Sequence, residues 1–313
     1  MRTIQISYPL STDHCEFPEV VAAIGFFDGI HKGHQKVIGK AVDRANELGL
    51  LSAVISFHPH PSAILNAKSR EVRYITPFEE KKRILESMGV DNFYVIEFTK
   101  ELSALSPEQF ISDYIGGLNV QELIAGYDFT YGKKGAGNMR ELTKRQDLPF
   151  SVDMISEQQE DGEKISSTRI RKLLSEGMME KANDLLGRPF VISGTVIHGS
   201  KRGRELGWRT ANMFVENDVL LPRKGVYAVK VLYADKTFYG MASLGYNPTF
   251  QYDNPDIRME VHIFDFQKEI YGEQITVEWH RYIRDEMKFS NIDELIARIA
   301  EDEEIIRAYF AKK

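Results

Sequence analysis

Apolar positions along this chain are written in two different periods. Between about residues 20 and 187, short apolar runs alternate with stretches whose apolar residues recur every three to four positions. That alternation predicts strands near 20–24, 50–57, 92–98, 122–125 and 150–155, separated by helices, as in a parallel α/β sheet. Between the first two strands, Val37, Ile38, Ala41, Val42, Ala45 and Leu48 form a one-sided helical stripe closed by Gly49. Thr76-Pro77-Phe78-Glu79 and Ser106-Pro107-Glu108-Gln109 each read as a helix start: an N-cap, a proline in the first turn, and an acid or amide three residues on.

After Gly187 the pattern becomes alternating strands near 190–197, 226–233, 238–244, 258–264 and 275–282, with Gly, Pro and Asn at the turns. Such a run predicts a closed barrel or sandwich. A final helix is expected from near Ser290, with Asp293 at the capping-box position. The fold class expected is therefore α/β plus all-β. A charged helical stretch at about 175–188 places the boundary between domains 1–187 and 188–313.

Length and charge narrow the picture. A chain of 313 residues is long enough for two cores without staples. Forty basic against 46 acidic residues leave a net charge of −6, which argues against nucleic-acid or anionic-membrane partners. The single cysteine, Cys15, excludes an internal disulfide and any multi-cysteine metal site. The N-terminus lacks a charged-then-apolar signal pattern, and the apolar run at 20–27 is too short to cross a bilayer. A cytoplasmic location is expected.

The segment Gly25-Phe26-Phe27-Asp28-Gly29-Ile30-His31-Lys32-Gly33-His34 lies between the first predicted strand and helix, where α/β folds place ligands. Glycines admit a phosphate to the backbone, and a helix N-terminus offers N–H groups and partial positive charge. His31 and His34, three apart, can donate hydrogen bonds to phosphate oxygens. A pair so placed suits adenylyl transfer, which needs no enzyme nucleophile but must stabilise charge on the α-phosphate. The same spacing also suits a plain glycine turn with surface histidines, or a two-histidine metal site.

FFDGIHKGH resembles the HxGH signature of the nucleotidyltransferase superfamily. Three further segments follow in order: SFHPHP ending at Pro61, GYDFTYG from Gly126, and ISSTRIR from Ile165. Together they resemble the N-terminal module of the prokaryotic FAD synthetases, bifunctional riboflavin kinase/FMN adenylyltransferases. GTVIHGSKRGRELG, GVYAV, NPTF and EVHIFDF in the second half resemble that family's riboflavin kinase module. The resemblance implies a Rossmann-like nucleotidyltransferase domain followed by a riboflavin-kinase-like β-barrel with a terminal helix. It implies ATP and FMN or riboflavin as substrates, with Mg2+, and AMP transfer from ATP to FMN.

On the same resemblance, His31 and His34 act on the ATP phosphates, with Gly25, Phe27, Asp28 and Gly33 shaping their turn. Ser166, Ser167, Thr168 and Arg169 stand in the loop that closes over the phosphates, although Ser-Ser-Thr is also an ordinary helix cap. His60, Pro61, Asp128, Phe129 and Tyr131 are flavin-site candidates, while any one of the aromatics can instead be core. His58 and His60 alternate at a strand end, a spacing that also suits a metal; pocket shape is preferred for His60, and His58 is left unassigned.

In the second half, Lys201 and Arg204 are expected at ATP phosphates, Thr210 and Asn212 at magnesium, and Glu260 as the base for the flavin 5′-hydroxyl. Arg281, Arg284 and Phe289 border the expected flavin pocket. The family expects a proline before the threonine; this chain reads Trp208-Arg209-Thr210-Ala211-Asn212. Proline would fix φ near about −65° and lack an N–H, so arginine frees the backbone and adds a cation beside the Mg-ATP site. Kinase activity is therefore in doubt. The alternatives are a fully active bifunctional enzyme and a flavin-binding regulator without turnover. Partners expected are small molecules, with weak self-association and neither nucleic acid nor membrane.

Overall fold

Val20–Ile24 is apolar at every position because both its faces are buried. Val20, Ala22 and Ile24 join one core cluster, while Val21 and Ala23 join another on the opposite side of the sheet. Alternate side chains of a strand point to opposite faces, so a central parallel strand needs an unbroken apolar run. The computed structural model describes residues 1–10, 17–65, 72–199, 208–246 and 257–312. Within them the chain forms two compact units, Met1–Ser167 and Thr168–Lys313.

The first unit runs β1 (Arg2–Ile6), β2 (Val20–Ile24), α1 (Lys32–Leu48), β3 (Leu51–His58), α2 (Pro61–Leu65), α3 (Phe78–Ser87), β4 (Asn92–Glu97), α4 (Pro107–Phe110), β5 (Val120–Gly126), β6 (Thr130–Tyr131), β7 (Gly137–Asn138), α5 (Met139–Leu142), β8 (Ser151–Ile155), β9 (Gln159–Glu160) and β10 (Glu163–Lys164). Its sheet has the order β1-β4-β3-β2-β5-β8, and every pairing is parallel. The chain leaves β2 first toward β3 and later returns to its other side as β5. The C-terminal end of β2 is thus the topological switch point, where open α/β sheets bind ligands.

The second unit begins within α6 (Ser167–Glu176), followed by α7 (Met179–Leu186), which packs on β11 (Phe190–Ile197) and β16 (Gln274–Arg284). With β12 (Thr210–Phe214), β13 (Gly225–Tyr233), β14 (Lys236–Tyr246) and β15 (Ile257–Ile263), these close a barrel of order β11-β12-β15-β14-β13-β16. All its pairings are antiparallel. The terminal helix α8 (Ile292–Ala311) covers one wall, burying Ile306, Tyr309 and Phe310 against Val226, Ala228 and Met241.

The fold class expected from the sequence is the one observed. Besides the two-residue strands β6, β7, β9 and β10, two strands of the main sheet and barrel escaped the pattern: β1, which extends the sheet edge beside β4, and β12, which carries the Thr-Ala-Asn run. Both β1 and β12 are only five residues long and mix polar with apolar positions. Ser106 and Gln109 form a full capping box, but α4 passes directly into a π-helical turn at Ile111–Gly116. Two helix starts differ from expectation. Pro77, not Thr76, is the N-cap of α3 and makes no side-chain cap, while the Thr76 N–H is held by Asp28. In α8 the cap is Asn291 with Glu294, one residue beyond Asp293, because the asparagine oxygen accepts from the Glu294 N–H.

Candidate active sites

The sheet delivers β2 to Gly25, whose N–H bonds the Ile55 carbonyl of β3 at 3.1 Å. The following turn is tightly wound: Phe27 (φ 53°), Gly29 (φ 91°) and Ile30 (φ 38°) all occupy the left-handed region. A bulky or β-branched residue there is strained and persists only where its surroundings dictate it. Four bonds do so. Asp28 Oδ1 accepts from the Ile75 and Thr76 N–H groups at 3.0 and 3.1 Å. The Phe26 carbonyl accepts from Ser56 Oγ at 3.0 Å and Lys81 Nζ at 2.8 Å.

His31 caps α1. Its Nδ1 accepts from the His34 N–H at 3.2 Å, which leaves Nε2 as the protonated, donating nitrogen. The two imidazoles stack at 3.6 Å with 19° between planes, and the buried Phe27 ring meets His34 edge-on at 5.3 Å. Gly33 leaves room for this stack: a Cβ there would lie 3.1 Å from His31 Cε1. Helix N–H groups, the positive end of the helix dipole and an imidazole donor therefore converge at the switch point.

The Ser166-Ser167 segment reaches the same turn from the other end of the unit. Ser167 Oγ donates to the Asp28 carbonyl at 2.7 Å, with Ser166 half-buried beside it. Thr168 is exposed and Arg169 half-buried on the first turn of α6, where the second compact unit begins.

Flavin-site candidates fall into three settings. The ring of His60 meets Phe26 edge-on at 4.1 Å, and its Nδ1 lies 2.7 Å from Ser62 Oγ just after Pro61 opens α2. Asp128 is surface-exposed and paired with Lys164 at 2.7 Å. Phe129 and Tyr131 stack with each other and belong to the core beside Phe110; Tyr131 is 8% exposed. Burial raises the Tyr131 hydroxyl pKa, so it stays neutral. β3 ends at His58 and α2 begins at Pro61, so His58 and His60 do not share a strand face. The His58 ring packs toward Phe78 and Tyr74. Among the described residues, no group of three His, Cys, Asp or Glu side chains is placed to hold a metal.

In the barrel, β12 brings Asn212 opposite Glu260 of β15 and Thr210 opposite His262. Arg258 lies between the first pair: its Nε donates to Asn212 Oδ1 at 3.2 Å, and its Nη2 bonds Glu260 Oε1. Arg209 is doubly restrained. Its guanidinium donates to the Gln267 carbonyl at 3.0 Å, and its own carbonyl lies 2.8 Å from His262 Nδ1. Two cavities flank β12. One is lined by Gly199, Arg209, Asn212, Lys268 and Tyr271. The other, of about 280 Å³, is lined by Trp208, Ser243, Glu260, Arg284, Phe289 and Asp302. Arg281 instead lies over Tyr309, near Glu180. Cys15, Lys201, Arg204 and the NPTF segment lie outside the described residues.

Sequence reasoning missed three charged groups. Lys81 occupies the buried stripe of α3 with Ile84 and Leu85. Asp302 occupies that of α8 and is fully buried, bonded by Arg284 at 2.7–3.0 Å with Arg298 Nε at 3.2 Å. Arg258 alternates with Glu260 on one face of β15. A charged residue at an apolar-stripe position was the available signal for the first two.

The FAD synthetase family model matches residues 14–169, and the riboflavin kinase family model matches residues 186–310. A bifunctional riboflavin kinase/FMN adenylyltransferase from Listeria monocytogenes is 46% identical over 312 residues, covering 100% of this chain and 99% of the relative. The protein of the same description from Bacillus subtilis is 44% identical, with 99% of each chain covered. A solved structure from Streptococcus pneumoniae, described as a macrolide-efflux protein, superimposes with a TM-score of 0.90 at 34% identity, covering 98% of this chain and 99% of its own. No helix among the described residues is long and apolar enough to cross a membrane. The two family models match the chain in the order of its two units, the relatives span nearly all of it, and the chain belongs to the bifunctional riboflavin kinase/FMN adenylyltransferase family.

Proposed function

We propose that the chain forms FAD by transferring AMP from ATP to FMN at the turn between β2 and α1. The observation that carries this reading is the stacked pair His31 and His34 at a helix N-terminus, with the His31 tautomer fixed as an Nε2 donor. A 5′-phosphate oxygen of FMN attacks the α-phosphorus of ATP. The bond from that phosphorus to the bridging oxygen breaks, and pyrophosphate leaves with its electron pair. His31 Nε2–H and the first N–H groups of α1 donate to oxygens that gain charge in this step. Ser166, Ser167, Thr168 and Arg169 supply further donors, while His60, Pro61, Asp128, Phe129 and Tyr131 shape the flavin side. Magnesium bound with ATP would neutralise polyphosphate charge. The adenylyltransferase module is assigned residues 1–187 and the kinase module 188–313; the family spans end at 169 and start at 186, and the compact units divide after Ser167.

Gly33→Ala is expected to reduce FAD formation roughly tenfold, because its Cβ crowds His31 and small misplacements of reacting groups are costly. Steady-state rates of FAD release check this; an unchanged rate means that the His31 position is not critical.

In the barrel, Thr210 and Asn212 offer hard oxygen donors of the kind Mg2+ takes, and Glu260 is the base for the riboflavin 5′-hydroxyl. Arg209 in the place of the proline weakens or silences this second step, since phosphoryl transfer depends on positioning. One observation favours the second reading, a working kinase: the His262 and Gln267 bonds to Arg209 restrain the segment that a proline ring would restrain. Purified protein with Mg-ATP and either riboflavin or FMN, with products resolved by chromatography, separates the readings. FAD from FMN alone marks a silent kinase, and FMN from riboflavin marks a working one. Tight flavin binding with no product marks a regulator. Arg209→Pro is expected to raise riboflavin phosphorylation about tenfold; an unchanged rate returns the choice to the working kinase or to positions other than 209.

A further inference from the structure

The phosphate turn is held from behind by a buried cation. Lys81 is 6% exposed, projects from the first turn of α3, and donates to the Phe26 carbonyl while lying 4.6 Å from the centre of the Phe26 ring. The same turn is held by the backbone just before α3, where Asp28 Oδ1 accepts the Ile75 and Thr76 N–H groups. The charge of Asp28 favours the Lys81 ammonium, while burial opposes it and pushes its pKa down to about 8. A neutral donor would satisfy the Phe26 carbonyl at less desolvation cost. The ammonium instead sits where a buried carboxylate lies in the turn proposed to receive a polyanion.

We propose that Lys81 is a positioning residue for adenylyl transfer: from behind the turn it neutralises Asp28 and fixes Phe26, and so sets the aim of His31 and the Phe26–His60 contact. This proposal rests on the adenylyl-transfer reading. Two consequences separate it from a purely structural role. The first concerns charge. Without Lys81, the Asp28 carboxylate repels ATP phosphates, so Lys81→Met raises KM for ATP, and adding Asp28→Asn restores part of the loss. Asparagine keeps an oxygen for the Ile75 and Thr76 N–H groups, so the double variant changes charge with little change in bonding.

The second consequence concerns pH. Groups facing Lys81 are Asp28 and the Phe26 carbonyl from the turn, Ser56 and His58 from β3, and Tyr74 and Thr76 before α3. β4 contributes only the apolar Phe93 and Val95 to the same small cavity. Lys81 is protonated below about pH 8, so kcat/KM for ATP falls as pH rises through that value. Folding stability moves the other way. The depressed pKa means that the unfolded chain holds this proton more tightly, so Lys81 makes stability rise between about pH 8 and 10.5. Activity lost while stability is gained is not a sign of unfolding.

The test measures FAD formation from FMN across ATP concentrations and pH, for the full chain and its Lys81→Met, Lys81→Arg and Lys81→Met/Asp28→Asn variants, with thermal melts alongside. Lys81→Met is expected to lower kcat/KM for ATP about tenfold to a hundredfold. The double variant should recover several-fold of that loss, and Lys81→Arg should move the alkaline limb upward. An unchanged kcat/KM in Lys81→Met, or a wild-type profile flat through pH 8 to 9.5 with no rescue by Asp28→Asn, overturns the proposal. If Lys81→Met does not fold, the wild-type and Lys81→Arg profiles decide alone: a flat wild-type profile, or an unmoved limb in a folded Lys81→Arg, overturns it. Failure of the wild type to make any FAD would instead overturn the adenylyl-transfer reading itself.

Discussion

His31→Ala is expected to slow FAD formation from FMN and ATP about a hundredfold to a thousandfold, the usual cost of losing one oriented donor to a transition-state oxyanion. The side chain does two jobs, and the variant removes both. Nδ1 caps α1 by accepting from the His34 N–H, while Nε2 is the donor that the proposed reaction aims at the phosphates. Loss of the cap alone is worth about 1 kcal/mol of helix stability, which a well-packed helix tolerates. His31→Asn separates the two jobs. Asparagine is itself a favourable N-cap, yet its side chain is too short to put a donor where Nε2 lies. Both variants should keep their circular dichroism and both should lose turnover. A rate close to wild type in His31→Ala would remove this imidazole from the chemistry, and recovery in His31→Asn alone would reassign it to capping.

Asp302→Ala is expected to destabilise the barrel unit by about 3–5 kcal/mol, the range found when one partner of a buried ion pair is deleted. Asp302 is fully buried under α8, and its carboxylate accepts from Arg284 Nε and Nη2 with Arg298 alongside. Without it, two guanidinium groups face each other beneath a helix with no anion between them. The unfolding midpoint of this unit should fall on the order of 10 °C. Arg284 and Asp302 also line the cavity that holds Glu260, so riboflavin binding should weaken in parallel. Thermal unfolding followed in the barrel tryptophans, Trp208 and Trp279, reads the effect. A midpoint within about 2 °C of wild type would mean that the pair is replaced by solvent at little cost. Arg284→Ala combined with Asp302→Ala should cost less than the sum of the single changes, because each single change already breaks the same contact.

Much of the architecture was legible because burial imposes periodicity. The unbroken apolar run of β2 marked a strand buried on both faces, and the Val37–Ile38–Ala41–Ala45 stripe marked the inner face of α1. Elements with little burial contrast were not legible. β1 and β12 are short and mixed, and the three-residue offset between Asn291 and Glu294 competed with an equally plausible one ending at Asp293. In the candidate sites, His31, His34 and Glu260 stood out by motif. Lys81 and Asp302 did not, because a lone charge on an apolar stripe reads as a break in pattern until its partner is seen. Those partners, Asp28 and Arg284, lie far away in sequence.

The sequence by itself determined the two periodicities, the order of the elements and the chemistry available at each strand end, since these depend on neighbours within a few residues. Only the tertiary structure decided how those groups are used. It committed one nitrogen of His31 to a helix cap, turned Asp28 toward Ile75 and Thr76, set Lys81 behind Phe26, and tied Arg209 to Gln267. Apart from the His31 cap, which closes within one turn, each of those outcomes depends on a hydrogen bond between separate segments. Such pairings follow from how strands and helices stack, which local pattern does not encode.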